Sequence, residues 1–277
     1  GSPNLPNTIN IRSGTVNIDG VGGDEATGLI LNQLLMGHPG TADGGGTAGD
    51  ATLNMTGGIL RIVYPGGTSG KFIGIADQSG ALAVNLSGSS AMSIEQDAGQ
   101  NGIPDFNMLG YGGSNTCCEE TSSSTATVTL SDSATLTVNA PGKFRFGFSS
   151  GVQWGDELAT NAFSVQLNDT SVLTVSSIDL GTGDGVTAQR DFQLNGGSFR
   201  MPGNVPDIPS ALIPYVSGIG GVNQGGGLNV AYIRNYDSVN TSFTGLSEAI
   251  PEPTTLTLLG LGGFVAFMVS GRRRRQR

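Results

Sequence analysis

Val128–Val138 reads Val-Thr-Leu-Ser-Asp-Ser-Ala-Thr-Leu-Thr-Val, and Val165–Val175 repeats its plan as Val-Gln-Leu-Asn-Asp-Thr-Ser-Val-Leu-Thr-Val. On either side of the central turn, apolar and polar residues alternate. Period-two alternation puts one set of side chains on one face of an extended chain, so each stretch is predicted to be two short strands meeting near Asp132 or Asp169. The same pair recurs as Leu53–Met55 and Leu60–Ile62 around Gly57 and Gly58, as Val84–Leu86 and Met92–Ile94 around Gly88, and as Phe192–Leu194 and Phe199–Met201 around Gly196 and Gly197. Ile9 to Ile18 resembles an opening copy, and Leu228 to Ile233 is expected to be a closing strand.

A third short piece accompanies the pairs. Leu35-Met36-Gly37, Phe72-Ile73-Gly74, Met108-Leu109-Gly110, Arg145-Phe146-Gly147, Asp179-Leu180-Gly181 and Val216-Ser217-Gly218 place their glycines 37, 36, 37, 34 and 37 residues apart. Three short strands per unit and a repeat near 36 residues describe a parallel β-solenoid (β-helix) of about six coils, because such a unit buries its apolar face only by stacking on its neighbours. Asn54, Asn85, Thr129, Gln166 and Gln193 are then expected to form a polar ladder on the outside. A β-sandwich also uses short alternating strands and is the alternative fold. Pro202, Pro206, Pro209 and Pro214 remove ladder donors and mark 202–222 as an irregular excursion or cap. The expected organisation is therefore an all-β body over 1–237, a linker over 238–250 and a terminal segment over 251–277.

The chain has a formal net charge of −9, while the residues after Ala249 hold five arginines and one glutamate, which leaves −13 on the body. An acidic body disfavours nucleic acid and anionic lipid as partners, since binding either relies on Lys and Arg. Lys71 and Lys143 are the only lysines and His38 the only histidine. No catalytic set is recognised. Glycosidic hydrolysis needs two carboxylates about 5 to 9.5 Å apart, whereas Asp77, Asp97, Asp105, Asp132, Asp169, Asp179, Asp184 and Asp191 are scattered singly, chiefly in turns. Stacking could bring Asp132 and Asp169 into register one coil apart, although acids of this kind more commonly cap turns. No metal site or cofactor is expected: His38 stands alone, and Gly181–Gly185 holds a single Gly-Asp turn where calcium solenoids repeat it. Glu119 and Glu120 read as a solvated loop tip.

Cys117 and Cys118 are adjacent, and there are no other cysteines. Neighbouring Cα atoms lie about 3.8 Å apart against about 4.4 to 6.8 Å in ordinary disulfides, so a bridge between them is strained. A vicinal disulfide, two thiols open to crosslinking and a metal-binding pair are the three readings, the last lacking any further soft ligand nearby.

At the C-terminus, Pro251-Glu252-Pro253 is followed by an uncharged run from Thr254 to Gly271 and then by Arg272, Arg273, Arg274 and Arg275. Those 18 residues make about 27 Å of helix, enough to cross a thin hydrocarbon core, and the arginines stop translocation and stay cytoplasmic. This segment resembles the PEP-CTERM sorting signal of exopolysaccharide-producing Gram-negative bacteria: the Pro-Glu-Pro triplet, the Gly-rich apolar helix and the arginine cluster occur in that order. The resemblance implies passage to the inner membrane, recognition by an exosortase, a membrane transpeptidase-like cysteine protease, and removal of the tail near the triplet. A secretory leader should accompany such a tail; the chain opens with Gly1, Ser2 and Pro3, so the leader is expected to have been removed or Gly1 and Ser2 to be an expression scar. The repeats also look like the β-helical passengers of PEP-CTERM and autotransporter-like proteins.

These features together point to an exported structural or adhesive protein of the cell surface or biofilm matrix, in contact with exopolysaccharide or with other copies of itself. The alternatives are a carbohydrate-active β-helix enzyme, a polysaccharide lyase or hydrolase with its site in the long loops, and a fibre former joined through exposed terminal edges.

Overall fold

The computed structural model of the chain describes residues 7–19, 50–64, 81–96, 106–107, 125–145, 162–180, 189–217 and 232–246. The chain divides into two compact units, Gly1–Ser247 and Glu248–Arg277, and all the described residues belong to the first.

Alternation does produce strands, and they pair as the repeats require. A seven-stranded sheet contains, in spatial order, β1 (Asn7–Ile11), β3 (Ala51–Met55), β5 (Ala81–Leu86), β8 (Thr125–Leu130), β11 (Ala162–Asn168), β14 (Gln189–Asn195) and β16 (Val216–Ser217). Every pairing within it is parallel. Each of β1, β3, β5, β8, β11 and β14 is followed, across a short turn, by a partner strand in the second long sheet. Those partners are β2 (Thr15–Asp19), β4 (Ile59–Tyr64), β6 (Ala91–Gln96), β9 (Thr135–Val138), β12 (Val172–Val175) and β15 (Ser198–Pro202), again parallel to one another. A small third sheet holds β7 (Phe106–Asn107), β10 (Phe144–Arg145) and β13 (Ile178–Asp179). The described body is thus all-β with stacked parallel sheets, the pattern expected of a β-solenoid and not the antiparallel layers of a sandwich.

Inward positions stack from coil to coil. Leu53, Val84, Val128, Val165 and Phe192 are successive pairing partners and at most 1 % exposed. Leu60, Met92, Leu136, Leu173 and Phe199 form the matching column under the second sheet. Burying each such side chain contributes roughly 1.5 to 3 kcal/mol, and one continuous core runs through the described strands. Aromatic residues fill the C-terminal end: Phe192 meets Phe199 edge-on at 5.4 Å, and Phe199 stacks on Phe243 at 6.4 Å.

Four expectations need correction. Pairing partners in the first sheet are offset by 44, 31, 44, 37, 27 and 24 residues, so the near-36 period is an average over connections of very unequal length. The third sheet takes in only the first residue of two glycine pieces, Arg145 and Asp179, and Phe106–Asn107 ahead of a third, while Val216-Ser217 does not join it; β16 extends the first sheet instead. The closing strand is β17 (Tyr232–Tyr236), which shares Tyr232 and Ile233 with the expected Leu228–Ile233 and runs on to Tyr236; residues 228–231 lie outside the described residues. Finally, 238–250 is not all linker: Asn240–Gly245 is β18, pairing antiparallel with both β15 and β17. The alternation of Thr241, Phe243 and Gly245 buries that strand, and Phe243 is fully covered. The β17–β18 hairpin therefore closes the second sheet, with Tyr232 edge-on to Phe243 at 5.7 Å.

Candidate functional site

The turns joining the first sheet to the second build a ladder of their own. Asp132 and Asp169 occupy equivalent turn positions with φ of 58° and 57°, and Gly88 takes the place one coil earlier with φ of 61°. Aspartate tolerates this left-handed geometry better than most residues. At residue 88 even a Cβ is excluded, because it would lie 2.4 Å from the Thr56 carbonyl oxygen. The Asp132 carboxylate accepts the backbone N–H of Gly88 at 2.8 Å, and the Asp169 carboxylate accepts that of Asp132 at 3.0 Å. In the opposite sense, the Ser133 and Thr170 hydroxyls donate to the carbonyls of Gly88 and Asp132 at 2.9 and 2.8 Å. These two acids do stand one coil apart, and each cap crosses the coil boundary instead of closing on its own backbone.

Charge is concentrated on the outward sides of the second and third sheets. Arg61 donates to the Glu95 carboxylate from Nε at 3.1 Å and from Nη2 at 2.8 Å. That hydrogen bond, helped by one from the Ser93 hydroxyl, holds Glu95 below the usual carboxylate range against the opposing pull of burial. Arg200 pairs with Asp237, whose carboxyl is lowered first by the backbone N–H groups of Asn240 and Val239. The Tyr232 hydroxyl donates to Asp207, which raises its pKa. In the third sheet Arg145 donates to Asp179 at 2.7 Å, with the Lys143 ammonium 4.0 Å from the same carboxylate.

The outward side of the first sheet is different in kind. Asn10, Asn54, Asn85, Thr129, Gln166 and Gln193 occupy one register position on successive strands, so the predicted ladder is present and begins a rung earlier, at Asn10. Asn85 donates to the side-chain oxygen of Asn54 at 2.9 Å, and Asn54 to that of Asn10 at 3.1 Å. A second column, two residues earlier on each strand, runs through Thr8, Thr52, Ala83, Thr127 and Ser164. Both columns are free of charge until Asp191, which accepts hydrogen bonds from Gln193 and Ser217. Sequence reading missed this second column because threonine, alanine and serine share no single motif; only pairing register aligns them.

Among the described residues, no group of three His, Cys, Asp or Glu side chains is placed to hold a metal ion, and no helix is long and apolar enough to cross a membrane. Pro251, Glu252, Pro253, the apolar run with its expected transmembrane helix, Arg272, Arg273, Arg274 and Arg275 lie outside the described residues. So do Cys117, Cys118, Glu119, Glu120, His38 and Gly181–Gly185.

No curated protein and no solved structure matches the chain significantly. Residues 249–275, the Pro-Glu-Pro triplet, apolar run and arginine cluster, match the family model of the PEP-CTERM protein-sorting motif, and the chain therefore carries that sorting motif.

Proposed function

We propose that this protein is a structural or adhesive component of a Gram-negative cell surface or biofilm matrix, built as a β-solenoid of about six coils. The sorting motif indicates an exosortase-sorted extracellular protein, and it is the single observation that carries this reading. In the precursor, Thr254–Gly271 crosses the inner membrane and Arg272–Arg275 hold the cytoplasmic side. The exosortase then removes this segment near Pro251-Glu252-Pro253, and the body is displayed or released. Contact with exopolysaccharide or with other copies is its work.

The body supports such a role through the way it spends its polar groups. Turn carboxylates, hydroxyls and outer amides bond from one coil to the next, which favours a rigid spacer or display surface. Mass spectrometry of the mature protein from its native host, with and without an active exosortase, tests the reading. A surface-located product ending near Pro253, replaced by a membrane-bound product ending at Arg277 when the exosortase is inactive, is expected. Surface protein that keeps Arg277 would contradict it.

A further inference from the structure

We propose that the outward side of the first sheet is a binding platform for an uncharged, hydroxyl-rich polysaccharide chain. This rests on the adhesive reading above and names its ligand class and face. Adjacent strands lie about 4.8 Å apart, and residues two apart on a strand are separated by roughly 6.8 Å. Thr127, Thr129, Ser164 and Gln166 therefore present a regular grid of donors and acceptors. All four are partly exposed, and none of their side chains hydrogen-bonds within the described residues. Beside them, Asn85 uses one of its two amide N–H groups on Asn54, and the other remains for a ligand.

Charge decides the kind of partner. The columns carry no cation to pair an anionic glycan, and the surrounding chain, at −9 overall, repels one. A protein partner is anchored best by aromatic or apolar side chains filling pockets, and the outward positions of these strands offer threonine, serine, asparagine, glutamine and alanine. A neutral sugar chain offers repeated hydroxyls that both donate and accept, which is what the grid can satisfy. Outward positions on the second sheet are instead interrupted by Arg61–Glu95 and Arg200–Asp237, whose charges are already matched.

The test is sedimentation of the full chain, held in mild detergent, with insoluble cellulose and curdlan, and affinity electrophoresis in gels containing dextran or alginate. Wild type should be retained by at least one neutral polysaccharide and not by alginate. The pair Thr127→Glu and Gln166→Glu should weaken retention by at least about tenfold, since unpaired charges replace hydrogen bonds. Thr137→Glu, on the outward side of the second sheet, should leave it unchanged, and circular dichroism should show all variants folded. Retention by alginate alone, by no neutral polysaccharide, or equal loss with Thr137→Glu would overturn the platform. Loss of self-association in place of glycan retention would assign the face to a second copy and overturn it as well. Failure here with a correctly processed surface protein sinks only the platform, whereas an unprocessed protein sinks the adhesive reading itself.

Discussion

The two long sheets share one interior and a parallel stack, and differ in their outer faces and in how they end. Both line the core with stacked aliphatic and aromatic columns. Outside, the first is a neutral amide and hydroxyl ladder through most of its length, while the second carries matched charges. Their last strands differ too: the first sheet ends in the two-residue parallel β16, and the second is closed by an antiparallel hairpin. The same buried columns thus stack beneath a neutral amide and hydroxyl face and beneath a charged one.

Removing core volume should produce the largest effects, alike in the two sheets. Leu167→Ala and Phe199→Ala, both fully buried, should each cost about 3 to 5 kcal/mol in urea unfolding; a loss confined to one sheet would break the shared interior into two. Next comes the closing hairpin. A Cβ at Gly245 would sit 2.0 Å from the Leu194 carbonyl oxygen, so Gly245→Ala should cost about 1 to 3 kcal/mol. Faster amide exchange in β17 and β18 than in β5 and β8 would localise the damage to the hairpin.

Smaller effects distinguish the turns and the outer faces. Ser171 and Ser90 hold equivalent buried positions; the Ser171 hydroxyl donates to the Leu130 carbonyl at 3.2 Å, and the Ser90 oxygen has no partner among the described residues. Ser171→Ala should therefore cost about 1 kcal/mol, while Ser90→Ala should be neutral or stabilising. Smallest is the charge on the second sheet. Glu95 is depressed in the folded chain, so its contribution is full above the ordinary value of 4.5 and disappears as pH falls through the lowered folded value. Because the pair is partly exposed, Glu95→Gln should change stability at neutral pH by under about 1 kcal/mol and flatten the acid limb. Thr129→Ala, on the neutral face, should leave that limb unchanged.

Much of the stack was legible because its signal is local and repeated. Val128 and Val165 announce inward positions by alternation, and aligning their turns gives the register that the strands adopt. Connection length was not legible, since nothing in a loop fixes how far the next strand lies along the chain. The strand within the expected 238–250 linker is hidden for a related reason: Asn240–Gly245 alternates but follows none of the three-piece repeats, and it joins the sheet antiparallel through the tight turn before it, where Val239 and Asn240 donate to Asp237. Asp132 and Asp169 were placed correctly as turn residues, yet their partners lie in the neighbouring coil and are invisible without register. The sorting motif was fully legible, being contiguous and defined by order alone.

Disulfide trapping probes the register between neighbouring coils. In a background with Cys117→Ser and Cys118→Ser, Thr129→Cys with Gln166→Cys places two thiols on directly paired residues, at a strand spacing of about 4.8 Å that falls within disulfide range. Mild oxidation should close this bridge in the monomer, and the control pair Thr129→Cys with Thr174→Cys, on different sheets, should stay reduced. A bridge that forms only in the control pair, or in neither, would contradict the stacked parallel arrangement.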